Sequence, residues 1–158
     1  MAKIIQIRVD ERLMHGQASV WMQTNGCNSV IVANDGSAED KMQQELMLVT
    51  VPKGVRCRFY GINQLIEIWP KAADWQVFYI VVKSVDDVYK LVMGGLPITE
   101  INLGNIHLSP ERKRITGSIN LSDHEKQLIR EMLDKGVKFN TMSLPGVTKG
   151  LVDISNFC

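Results

Sequence analysis

The chain has 158 residues, of which 45% are hydrophobic and 22% charged. That length suits one domain (residues 1–158) with room for a packed core, and the balance excludes a disordered chain. Eighteen Lys+Arg against 17 Asp+Glu leave a net charge of +1, which excludes general attraction to nucleic acid or an anionic membrane.

Any anion binding therefore has to be local. No apolar run is long enough to cross a bilayer, and the start becomes polar too early for a secretory leader, so a cytoplasmic protein is expected. Cys27, Cys57 and Cys158 are widely spaced and odd in number, the pattern of free thiols.

From the amino terminus, a β-prone run at Ile4 to Arg8 leads into a polar loop, Asp10 to His15. Ala18, Trp21 and Met22 then recur at helical spacing, and Asn25-Gly26 ends that helix. A second strand is expected at Ser29 to Ala33. Ser37 with Asp40 offers an N-cap for a helix whose apolar stripe is Ala38, Met42, Leu46 and Val49, stopped by Pro52. Val55 to Tyr60 is the third strand, followed by a weaker helix over Asn63 to Ala72 that Pro70 interrupts. Val77 to Val82 is the fourth; Ser84 then opens a helix bearing Val85, Val88, Leu91 and Val92, left at Gly94-Gly95.

Glu100 to Leu103 reads as a further strand, and Arg114 to Leu121 as a hairpin or an antiparallel edge strand. Ser122 with Glu125 is a capping box for a helix carrying Leu128, Ile129 and Met132, closed by Gly136. Val137 to Met142 is the last strand. Such alternation predicts an α/β fold: an open, mostly parallel sheet with helices on both faces and one antiparallel edge strand. Ligands then gather at the carboxyl ends of the strands, where the loops at Asp10 to His15, Asn34-Asp35, Gly61, Lys83-Ser84 and Gly104 to His107 share a rim.

The first of these loops carries the most chemistry. His15 stands directly before a helix, whose free amides and partial positive charge favour an anion. The amides near Gly16 and Gln17 are placed to cradle such an anion, and Gly16 permits close approach. Arg8 and Arg12 flank the turn, and guanidinium groups pair with phosphoryl oxygens through directed hydrogen bonds. Asp10 can hold an arginine or fix the imidazole tautomer. Phosphoryl transfer needs little beyond a nucleophile and positioned positive charge. Read from residue chemistry alone, His15 is either an ordinary helix-start histidine or the centre of an anion site; both stand.

The stretch Arg8-Val9-Asp10-Glu11-Arg12-Leu13-Met14-His15-Gly16-Gln17 closely resembles the signature of the IIB components of the mannose/sorbose family of bacterial sugar phosphotransferase systems. Val32-Ala33-Asn34-Asp35 with Asp40 and Gln43, Gly94-Gly95, Ile101 to His107, Gly136-Val137 and Leu144-Pro145 resemble later elements of that family in order. Val9 and Met14 replace the usual isoleucines, Ala18-Ser19 follows Gln17, and Gly36 stands where an acidic residue is common.

The resemblance implies that His15 is phosphorylated on Nδ1 by the phosphohistidine of a IIA component. The group then passes to a sugar delivered by membrane IIC and IID components, with the protein peripherally attached to that complex. It further implies that Arg12 stabilises the transferred group. No cofactor or metal is implied, and the sugar (mannose, fructose, sorbose, galactosamine or N-acetylgalactosamine) and the oligomeric state, homodimer included, stay open.

Other residues carry weaker readings. Asp35 and His107 lie in loops of the same rim, either touching the site or bonding locally. His124 reads as a surface residue and Arg112-Lys113-Arg114 as a solvated turn or a docking patch. Trp21 reads as helix core; Trp69 and Trp75 are core or partner-facing. A histidine phosphatase or mutase would need an arginine directly before the histidine, where Met14 stands. A non-catalytic nucleotide-binding domain would need a phosphate loop, and neither glycine-rich pattern is present.

Overall fold

The structure, a computed structural model, describes residues 2–158. Six strands form one sheet: β1 (Lys3–Asp10), β2 (Ser29–Ala33), β3 (Arg56–Tyr60), β4 (Val77–Val82), β5 (Glu100–Asn105) and, at the far edge, Lys138–Asn140, which is β8. Their order is β3-β2-β4-β1-β5-β8 and every pair is parallel. Val30 to Ala33 and Phe78 to Val82 are buried without interruption, as expected of central strands covered on both faces.

The antiparallel feature expected near Arg114 to Leu121 is a separate two-stranded hairpin, β6 (Lys113–Arg114) with β7 (Asn120–Leu121), tied to the end of β5 by a bridge between Ile106 and Ile119.

Helix α1 (Gly16–Asn25) packs on one face with α3 (Lys41–Leu48), around Ala18, Trp21, Met22 and Met47. On the other face lie α4 (Ile62–Ile68), α5 (Val85–Met93) and α6 (Asp123–Asp134), around Leu65, Val88, Leu91, Ile129 and Met132. The chain thus leaves β1 toward one face, and leaves its neighbours β4 and β5 toward the other. This divergence marks the carboxyl end of β1 as the switch point, where α/β sheets place their sites.

A bulge between Ile4 and Gln6 resets the alternation in β1. Ile7 and Val9 then enter the core under α4 and α5, and Arg8 and Asp10 turn toward α1.

Several elements are punctuated as expected. The capping box at Ser122 and Glu125 is formed, and α1 ends on Gly26 at φ 76°. The helix over Asn63 to Ala72 is shorter, running from Ile62 to Ile68 before Pro70 tightens it into a 3-10 turn at Trp69–Lys71.

The helix expected after β2 is corrected. Asn34 caps a short α2 (Asp35–Ala38), accepting from the Ser37 amide at 2.8 Å. Asp40 caps α3 separately, accepting from Gln43 at 3.1 Å. Two caps break the period, and α3 buries Met47 in place of the expected stripe. Met42, Leu46 and Val49 are 74%, 68% and 83% exposed.

Met47→Ala should therefore destabilise the chain by about 2–5 kcal/mol, and Met42→Ala should stay within about 0.5 kcal/mol of the parent. Denaturant unfolding reads both values, and equal losses would show that α3 seats its other face on the sheet.

Candidate functional site

The loop after β1 is organised by Asp10, a carboxylate with no exposure. Its Oδ1 accepts from the Arg12 backbone at 2.9 Å and from Arg12 Nε at 3.0 Å, and its Oδ2 accepts from the second Arg12 nitrogen at 3.0 Å. Arg8 donates to the same Oδ2 from behind at 3.3 Å. Arg12 is partly exposed and also donates to Gln17 Oε1 at 3.1 Å, so Arg12, Gln17 and Asp10 form one fork at the start of α1.

His15 is the residue before that helix. Its side chain makes no capping bond, and the first turn holds no acidic residue, so the amino end of α1 stays available to an anion. The imidazole is 21% exposed. Its Nδ1 lies 2.9 Å from the carbonyl of Leu13, an acceptor only, so Nδ1 carries the ring proton. Nε2 is buried without a hydrogen-bond partner, 3.8 Å from Asp10 Oδ2. Leu13 turns its carbonyl under the ring through a left-handed backbone, φ 55°, which a non-glycine residue adopts at a cost of about 1–2 kcal/mol.

Arg8 requires a correction. Read as a phosphate ligand from its place beside the turn, it is 1% exposed and does not reach the rim. It lies flat on the sheet, donating to Asn102 Oδ1 and to the Met142 carbonyl, with the Trp21 ring 5.6 Å from its Cζ. Burial lowers its pKa, and its Tyr79 and Asp10 neighbours raise it again. Arg8 is a positioning residue for Asp10. A Cβ on Gly104 would lie 2.2 Å from the Arg8 Cζ, so the guanidinium occupies the space that a side chain there would fill. The role of Asn102, Gly104 and Met142 was not readable from the sequence, because nothing in the local pattern says that β5 and the segment after β8 hold Arg8.

Of the two readings of Asp35 the structure shows local bonding: it accepts from the Ile62 amide at 2.8 Å at the start of α4. His107 reaches the loop at one remove, bonding Glu11 at 2.7 Å. Arg112 is a clamp and not a solvated turn: it forks onto the buried Glu125 at 2.9 Å and also holds Glu11. His124 pairs with Asp86 at 2.7 Å on the surface, a contact that raises its pKa. The thiols are poor nucleophiles: burial pushes those of Cys27 and Cys57 up to about 11 and raises that of Cys158 as well.

Residues 4–155 match the family model described as the sorbose subfamily IIB component of the phosphotransferase system. The chain belongs to this family of IIB components. Its relatives agree across the whole length. The IIB component is 35% identical over 155 residues to the N-acetylgalactosamine-specific phosphotransferase enzyme IIB component 2 of Escherichia coli K12, covering 98% of each chain.

It superposes with a TM-score of 0.94 on the crystal structure of an N-acetylgalactosamine IIB component from Streptococcus pyogenes, at 46% identity over 99% of this chain and 98% of that one. The IIB domain of the sorbose permease from Klebsiella pneumoniae, 24% identical, shares the fold at a TM-score of 0.88 over 98% and 94%. As a member, the protein is a phosphotransferase component of sugar transport. No helix among the described residues is long and apolar enough to cross a membrane.

Two glycines separate scaffold from site. Gly104→Ala should destabilise the IIB component by about 1–3 kcal/mol through overpacking against Arg8. A Cβ on Gly16 meets nothing within 4 Å and its φ is not positive, so Gly16→Ala should keep or raise the unfolding free energy, by up to about 1 kcal/mol. Urea unfolding of both variants checks the pair; an unaffected Gly104→Ala would mean that Arg8 moves aside freely.

Proposed function

We propose that this IIB component carries a phosphoryl group on His15, taking it from the phosphohistidine of a IIA partner. It then gives the group to a sugar delivered by membrane IIC and IID partners. The observation that carries this reading is the meeting of one histidine, the uncapped amino end of α1 and the Arg12–Asp10–Gln17 fork on a single turn.

In the accepting step an imidazole lone pair attacks phosphorus and the donor's N–P bond breaks. Its electron pair returns to the donor ring. The amides of Gly16 and Gln17 and the Arg12 guanidinium would hold the charge spread over the phosphoryl oxygens.

The resting ring is closed to such an attack. Nδ1 is bonded to Leu13, and Nε2 is buried against Asp10. Attack by Nδ1, the nitrogen that the family resemblance implies, needs the ring to turn away from the Leu13 carbonyl and carry its proton on Nε2, where Asp10 is the nearest acceptor. The same arrangement suits a carrier better than a hydrolase. Both oxygens of Asp10 are held by arginines and Glu11 is held by His107 and Arg112, so neither carboxylate is free to activate water.

Relatives named for N-acetylgalactosamine at 46% and 35% identity support an N-acetylated amino sugar as the final acceptor. With the upstream phosphotransfer proteins, the parent should gain one acid-labile phosphate by intact mass, attached through Nδ1 in a nitrogen-phosphorus NMR correlation. It should discharge to N-acetylgalactosamine faster than to sorbose when membrane partners are present. His15→Ala should gain none, and Arg12→Lys, which keeps charge but loses the fork, should transfer about tenfold or more slowly. A phosphorylated His15→Ala chain would move the assignment to another residue.

The face offered to the IIA donor is the exposed stripe of α3. Met47 on its inner side packs in the same cluster as Leu13 and Met14, which precede His15, and Met42, Leu46 and, at the helix end, Val49 are left exposed. Leu46→Glu should keep the fold and slow phosphorylation by IIA at limiting donor concentration about tenfold. An unchanged rate would place the donor on another face.

A further inference from the structure

A groove between the outer strand β3 and the α4 segment plays no part in the His15 chemistry. It has a volume of about 210 Å³ and includes the first residues of β2 and β3, Ser29 and Arg56, at the opposite strand ends from the His15 loop. Arg56, Arg58 and Lys71 stand along it, and Tyr60, Trp69 and Phe78 line it. Arg56 and Arg58 are two residues apart on one strand, so they project to the same side, roughly 7 Å apart. Lys71 comes from the 3-10 turn at Trp69–Lys71.

These three cations share one groove without a carboxylate beside them. Arg8, Arg12, Arg112 and Arg130 each face a carboxylate. Among the described residues none pairs with Arg56, Arg58 or Lys71. Arg58 donates only to the neighbouring Cys57 carbonyl at 3.2 Å, and Arg56 lies 4.9 Å over the exposed Trp75 ring. Behind them Trp69 and the buried Phe78 form a tilted pair with centroids 5.3 Å apart.

We propose that this groove binds a compact organic phosphate, a phosphate monoester borne on a six-membered ring. Three unpaired cations suit a dianion, which arginine meets through its planar fork. An aromatic lining suits the flat face of an arene or the C–H face of a sugar. The volume is below the ~300–1,000 Å³ of drug-sized pockets, which limits the guest to about one ring. Guarding an exposed sheet edge against self-pairing would account for charge on β3. It would not account for a cation from a second segment or for the aromatic lining. The inference is independent of phosphorylation at His15.

Amide NMR titration of the full chain with phenyl phosphate, glucose 6-phosphate, inorganic phosphate and glucose tests it. Either ring ester should give saturable one-to-one shifts in Arg56 to Tyr60 and Trp69 to Lys71, unchanged in His15→Ala. The tighter of the two tells an arene from a sugar guest. Inorganic phosphate and glucose should bind more weakly, and Arg58→Gln should weaken the ring esters about tenfold while preserving the spectrum elsewhere. Shifts centred on Gly16 and Gln17, or inorganic phosphate binding as well as both esters, would overturn the proposal. So would an Arg58→Gln chain that binds normally but self-associates, the behaviour of an edge guard.

Discussion

A carboxylate shut off from solvent at the end of a central strand keeps its charge only if other donors replace the water it has lost. Asp10 meets that condition by drawing two arginines and a backbone amide onto its oxygens. Two cations on one anion leave the cluster formally positive by one, directly beneath the first turn of α1. On the carrier reading, the charge that makes burial of Asp10 tolerable is also the charge that would attract an anion to His15. Scaffold and proposed phosphate site then draw on the same three side chains.

Burying Arg8 has consequences well away from the loop. A flat guanidinium over the sheet needs a neighbour with no side chain, which Gly104 supplies, and acceptors on its far side, which are Asn102 and the Met142 carbonyl. Asn102 in turn donates to that same carbonyl at 2.9 Å, and Trp21 donates to Ser143 at 3.2 Å. The segment after β8 is thereby tied both to β1 and to the helix that begins at Gly16. Residues some 130 positions from His15 in sequence help to set where its helix points.

What the sequence made legible follows from how local each signal is. The parallel sheet was readable because Ser29 to Ala33 and Val77 to Val82 are short apolar runs separated by capped, periodic segments. The loop was readable because its chemistry is contiguous from Arg8 to Gln17. The burial of Arg8 was not, since it depends on a bulge near Ile5 and on partners in β5 and beyond. Arg112 was misread for the same reason, its acceptor Glu11 lying 101 positions away. On α3, periodicity gave the right spacing for a helix and the wrong face. Two caps six residues apart, at Asn34 and Asp40, start separate helices, and no stripe drawn across both could choose the buried side.

The inverted face of α3 and the closed ring of His15 make sense together. A helix that leaves Met42, Leu46 and Val49 in water gains nothing from them in the free chain, so their apolar surface is available to a partner. Leu13, meanwhile, holds an unfavourable backbone to place its carbonyl on Nδ1, and it is kept there by burial and by its own bond to the Asp10 carbonyl at 2.9 Å. Leu13 and the inner side of α3 belong to one packed cluster. Met47 and Leu13, the residue that latches the ring, therefore belong to one apolar body on this side of the sheet. On the carrier reading, a nucleophile that is covered in the free chain is protected until a donor docks. Turning the ring gives up the bond to the Leu13 carbonyl alone, because burial and the Asp10 bond hold the Leu13 backbone in place either way.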